Sequence, residues 1–123
     1  MEKGDPIPSG EVLYRRVYKA DKRVIDRKTG RPTSRAFVPR PKDDGKLSCD
    51  LKRLTTFFLA IQDQSQFRLF MILSDTVYSC GLSCLYDPIT ENIAHTLITG
   101  FDPDDESVPG ILARSSIEEF ESR

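Results

Sequence analysis

A chain of 123 residues is one domain by length, and such a domain buries roughly two-thirds of its unfolded surface, so neither a disulfide nor a metal staple is required. Three cysteines, an odd number, and no N-terminal apolar segment of signal-peptide length set the expectation of free thiols in a reducing cytoplasm, and no run approaches the ~18 apolar residues of a membrane helix. The net charge of −1 hides an asymmetry: residues 1–53 carry 15 Lys/Arg against 8 Asp/Glu, and residues 54–123 carry 3 against 11. Such a split implies a basic surface for phosphate or nucleic acid, an acidic surface for a basic partner, or two halves that complement each other within one fold.

Taken in order, residues 1–10 hold Gly4, Pro6, Pro8 and Gly10 without apolar periodicity and read as a flexible tail, leaving residues 11–123 as a single domain. Residues 11–19 (EVLYRRVYK) predict a strand, with Val12, Tyr14, Arg16 and Tyr18 on one face and Leu13, Arg15 and Val17 on the other. Residues 20–31 predict a charged hairpin-like excursion turning at Lys28-Thr29-Gly30. Residues 32–39 read as an extended segment pinned by prolines. Leu47 to Asp50 predicts a short strand whose Asp50 caps a helix from Leu51 to about Gln62, with Leu51, Leu54, Phe58 and Ile61 as its core stripe.

Residues 67–88 (FRLFMILSDTVYSCGLSCLYDP) are the most apolar stretch and predict a buried strand, a brief helix capped by Ser74 or Asp75, a left-handed stop at Gly81, and a second strand ended by Asp87-Pro88. Residues 93–99 predict another strand, 101–110 an acidic loop, and 111–120 a helix begun by Pro109. The sum is an α+β domain, a mixed sheet of about five strands with two or three helices, whose core includes Leu69, Met71, Ile72, Leu82, Phe58 and Ile98.

His95 is the sole histidine and the main catalytic candidate, because its side chain is the one that ordinarily titrates near neutral pH. It is either a hydrogen-bonded structural residue or a functional group accompanied by the hydroxyl of Ser34 or Ser48 and an anion anchor at Arg15 or Arg16. A Ser-His-Asp hydrolase fits poorly, since no Gly-x-Ser-x-Gly turn is present. Cys49, Cys80, Cys84 and His95 lack the paired spacing of a zinc site, so no metal is expected. With no Gly-x-Gly-x-x-Gly and no Gly-Lys-Ser/Thr loop, no cofactor is expected either.

Residues 32–37 (PTSRAF), 47–50 (LSCD) and 92–95 (NIAH) give the chain a resemblance to small bacterial proteins of unassigned function. These share a leading Tyr-Arg strand and Pro-Ser-Ser-x-x-Phe, Leu-Ser-Val-Asp and Asn-Pro-Ala-His motifs. The resemblance implies no activity, but it singles out Ser34, Phe37, Ser48, Asn92 and His95. Together with Arg15, Arg16 and Arg35 these form the expected binding set. The reading that follows is a cytoplasmic binding module for a protein partner or an anionic ligand, an accessory part of a multi-gene bacterial system, with nucleic acid a further option through the basic half and no membrane association. The alternative is an enzyme acting on a nucleotide-like substrate, similar to ADP-ribosyltransferases, using His95, Ser48 and an arginine.

Overall fold

Strand periodicity in the apolar runs sets the frame of the molecule. The computed structural model describes residues 1–121, with strands Val12–Tyr18 (β1), Leu47–Leu51 (β2), Phe67–Leu73 (β3), Ser83–Tyr86 (β4), His95–Thr99 (β5) and Ile117–Glu119 (β6). These form one six-stranded sheet in the order β4-β5-β2-β1-β3-β6, and each of its five pairings is antiparallel. Three α-helices, Phe57–Ile61 (α1), Ser74–Ser79 (α2) and Ser107–Ser115 (α3), complete it with short 3-10 turns. The expected α+β domain is what forms, with one more strand than anticipated and antiparallel rather than mixed pairing. Among the described residues no helix is long and apolar enough to cross a membrane.

The longest ladder, from Val12↔Leu73 to Tyr18↔Phe67, joins β1 to β3 and divides their side chains between the two faces. One face carries Leu13, Val17, Cys49, Phe70, Ile72 and Ile98 into the main core, closed by Val77 of α2, Leu112 of α3 and Phe37. On the other, Tyr14 and Leu69 meet Ala60 and Ile61 of α1 in a smaller cluster. The β4-β5-β2 half of that second face stays open: Ser48 and Ser83 are exposed, and Leu85, His95 and Leu97 are half-buried.

Residues 1–10 do not behave as the flexible tail expected. Gly4 donates to the Tyr86 carbonyl (2.7 Å), Tyr86 to that of Asp5 (2.8 Å) and Ile7 to that of Cys84 (2.9 Å), so the segment runs along the outer edge of β4. Ile7, at 1% exposure, is a core residue. Pro6 and Pro8 suit an edge, where a missing N–H costs no ladder bond. Ser74 and Asp75, expected to cap α2, instead hold this segment: the Ser74 hydroxyl donates to the Pro8 carbonyl (2.8 Å), and Asp75 accepts from the Gly10 N–H (2.6 Å).

The helix expected over residues 51–62 is interrupted. Leu51 completes β2, Lys52–Leu54 make a 3-10 turn, and two extended threonines precede α1, whose first turn is capped by Thr56 accepting from the Leu59 N–H (3.2 Å). The helical spacing of the apolar residues therefore spans a break, and Phe58 is 56% exposed rather than core. Met71 is half-buried, while Leu69, Ile72, Leu82 and Ile98 are buried as expected. The last predicted helix is also displaced. It starts at Ser107, holds Pro109 in its first turn where an N–H has no partner, and ends at Ser115, which frees Ile117–Glu119 to pair with β3. Residues 34–37 form a 3-10 turn rather than an extended run.

Candidate functional site

Two polar constellations form around β2, one on each side of it. The first begins where the sheet splits. β1 pairs with β2 at Leu13↔Leu51 and Tyr14↔Asp50, then diverges, although it stays paired with β3 as far as Tyr18. Arg15 fills the gap: its Nε donates to the Ala36 carbonyl and its Nη1 to the Ser48 carbonyl, both at 2.9 Å. The guanidinium thus takes the place that a strand N–H would hold in a continuous ladder. Both acceptors are neutral carbonyls, and Arg15 makes no ion pair among the described residues. Burial holds its pKa below the usual arginine value, and the charges of Arg16 and Arg40 act in the same direction.

From this gap opens a cleft of about 1000 Å³. Arg15, Arg16, Arg23, Arg35, Arg40 and Ser34 line it, together with the acidic residues Asp21, Asp102, Asp105 and Glu106. Residues of the basic and acidic segments of the chain therefore share one cleft. Two of the arginines are neutralised locally, Arg23 by Asp21 (3.0 Å) and Arg40 by Asp43 (2.9 Å). Arg16 lies over the Phe67 ring (5.0 Å) and donates to the Ala60 carbonyl (3.2 Å). Arg35 and Ser34 are exposed at the rim. Arg15, Arg16 and Arg35 thus bring three positive charges to the cleft without a carboxylate ion-paired to any of them among the described residues.

The second constellation lies on the open half of the sheet. His95 of β5 stands opposite Asp50 of β2, and on its other side the Asp87 N–H donates to the His95 carbonyl (2.9 Å). Its Nδ1 lies 3.0 Å from Asp87 Oδ2 and 2.9 Å from the Asp87 carbonyl, and its Nε2 lies 3.2 Å from Ser48 Oγ. Both neighbours of Nδ1 are acceptors, which puts the imidazole proton on Nδ1 and leaves Nε2 to accept from the Ser48 hydroxyl. Asn92 steadies the same corner, donating to Asp50 Oδ1 (2.7 Å) and accepting from the Ala94 N–H (3.0 Å).

Of the residues singled out in the sequence, Ser48, Asn92 and His95 cluster on the open sheet face, and Arg15, Arg16, Ser34 and Arg35 gather at the cleft. Phe37 belongs to neither, being fully buried in the core. Sequence reasoning missed Asp87, read only as the end of a strand, and Asp50, read as a helix cap. Strand parity offered a signal: Asp87 lies on the same face as Ser83 and Leu85, two and four residues back. Cys49 lies close enough to Arg15 to feel its charge, but as a core residue it takes no part in either site. Burial pushes the Cys49 and Cys84 thiols up to about 12, so they remain protonated small hydrophobes. Compared with protein-family models, curated proteins and solved structures, the chain matches none of them.

Proposed function

We propose that the protein is a cytoplasmic binding module whose cleft takes the phosphate or carboxylate group of an anionic ligand. The observation that carries this is the half-buried Arg15 guanidinium, held by two carbonyls and, among the described residues, without an ion-paired carboxylate, at the head of a cleft that Arg16 and Arg35 also line. A charge removed from water attracts an anion more strongly than a solvated one, and a guanidinium fork suits the flat pair of oxygens on carboxylate or phosphate. Ser34 adds a hydroxyl donor at the rim. The carboxylates of Asp102, Asp105 and Glu106 in the same lining select against a long polyanion and favour a compact anion, or one whose far end is cationic or rich in hydroxyls. Nucleic acid is therefore a poor occupant.

The nucleotide-enzyme alternative needs the Ser48 hydroxyl, His95 and an arginine head around one ligand. Arg15 instead meets the carbonyl of Ser48, and the arginines line the cleft while the hydroxyl and imidazole lie on the open sheet face, so the binding reading is favoured. Titration calorimetry with inorganic pyrophosphate tests it. Binding should saturate at one site per chain and weaken about tenfold or more in Arg35→Glu, an exposed position whose change leaves the fold intact, which corresponds to about 1.4 kcal/mol. Equal affinity in the variant, or no heat with pyrophosphate or citrate, would remove the cleft as the binding site.

A further inference from the structure

We propose that Ser48, His95 and Asp87 form a nucleophilic relay that hydrolyses small esters with short apolar acyl chains, independently of the anion cleft. Three neighbouring strands build it. Ser48 and His95 project from β2 and β5 on the same sheet face, and Asp87 immediately follows β4, so regular antiparallel register brings hydroxyl, imidazole and carboxylate into line. The line is continuous: Ser48 Oγ to Nε2 is 3.2 Å, and Nδ1 to Asp87 Oδ2 is 3.0 Å. A relay of this kind is recognised by geometry and roles rather than by sequence order, so the missing nucleophile turn is no obstacle.

Three further features fit the chemistry. Ser48 is exposed while His95 and Asp87 are half-buried, so the nucleophile is reachable and its base is fixed. Leu97 stands opposite Ser48 and Leu85 opposite Leu97 on the same face, giving an acyl chain an apolar floor beside the hydroxyl. The β1–β2 ladder ends at Tyr14↔Asp50, so the Ser48 N–H, on the strand edge where Arg15 also bonds the Ser48 carbonyl, lies beyond the paired region and is the backbone donor offered to a developing oxyanion.

In the acylation step Ser48 Oγ attacks the ester carbonyl carbon as its proton passes to Nε2. The imidazolium is stabilised by the Asp87 carboxylate. Collapse of the tetrahedral intermediate breaks the bond to the alcohol oxygen, which leaves with the proton from Nε2. Water then attacks the acyl-serine, giving one proton to Nε2. The second collapse releases the carboxylic acid and returns that proton to Ser48 Oγ. Ester and water become acid and alcohol, and no other reactant is needed.

The test is labelling of the whole chain with a fluorophosphonate, in which Oγ displaces fluoride from phosphorus, beside hydrolysis of p-nitrophenyl butyrate. Mass spectrometry should place the adduct on Ser48, and Ser48→Ala, an exposed change, should abolish both adduct and turnover. His95→Gln should lower the labelling rate by roughly 10²-fold or more, the range for loss of a general base. Asp87 acts through His95 and is a positioning residue. In Asp87→Asn the backbone carbonyl still holds the Nδ1 proton, so the 15N shifts of His95 should report the same tautomer while kcat falls and KM stays. Thermal unfolding of each variant separates lost chemistry from lost fold. No Ser48 adduct on the folded wild-type chain, or equal labelling of a folded His95→Gln protein, overturns the proposal.

Discussion

Ile7→Ala asks whether the first ten residues belong to the fold. The side chain is 1% exposed and sits in the main core beside Cys84, while its own N–H donates to the Cys84 carbonyl at 2.9 Å. The change deletes three carbons, about 2.4 kcal/mol at ~0.8 kcal/mol per buried CH₂, and leaves a cavity that adds to the loss. The backbone bonds to β4 survive in the variant, so their contribution is not removed. A destabilisation of about 2–4 kcal/mol is expected, and at an m value of roughly 1–3 kcal/mol/M the urea midpoint falls by about 0.7–4 M. Phe58→Ala is the companion: at 56% exposure it should cost under about 1 kcal/mol, although helical spacing alone puts that ring in the core and asks for roughly 3–5 kcal/mol. An unchanged midpoint for Ile7→Ala would falsify the seating of residues 1–10, and a large loss for Phe58→Ala would overturn that of α1.

Ile72→Ala, at 2% exposure in the central ladder, should cost about 2–5 kcal/mol in the same assay, and a loss within error of zero contradicts the β1–β3 core. Arg31 Nη2 meets the carbonyls of Ala113 (3.0 Å), Arg114 (3.3 Å) and Ser116 (2.7 Å) at the end of α3, so Arg31→Ala should lower stability by about 1–3 kcal/mol and raise amide exchange over residues 111–116. Unchanged exchange there would show that this cap is idle. The Cys49 thiol, raised from 9.0 to about 12 by burial, keeps its proton in the folded state at a pH where the unfolded chain loses it. Its stabilising effect is therefore complete below about pH 9 and is lost as pH rises toward 12, by up to about 1.4 kcal/mol per pH unit. Cys49→Ala should flatten the alkaline limb of a stability profile relative to the wild type, and parallel limbs would refute the shift.

Local chemistry in the chain predicted what local chemistry decides. Alternation placed Leu13, Arg15 and Val17 on one face of β1, and Gly81 takes the left-handed conformation expected of it, at φ +80°. Where contacts distant in sequence decide, local patterns misled. Helical spacing from Leu51 to Ile61 crosses the end of β2, and nothing near Ile7 announces that its partner is Cys84. The site divides in the same way. His95 and Ser48 stood out by residue type and by resemblance, but their meeting depends on the β2–β5 register, and the acceptor that fixes the tautomer came from Asp87, a residue whose Asp-Pro context spoke only of strand termination. Arg15 was legible as an arginine on a strand. Its work of bridging a splayed ladder was not, because its acceptors, the carbonyls of Ala36 and Ser48, lie 21 and 33 residues away in sequence.

The anion cleft itself is tested most directly by following the arginine Nε–Hε resonances by NMR while inorganic phosphate is added to the whole chain. The Arg15 signal should stand apart from the others because its Nε–H is hydrogen-bonded to the Ala36 carbonyl. Arg15, Arg16 and Arg35 and the Ser34 amide should shift together along one saturating curve, while Arg31 and Arg68, which lie outside the cleft lining, stay in place. Linear, unsaturated drift of all arginines alike, or shifts at Arg31 and Arg68 with Arg15 unmoved, would contradict it.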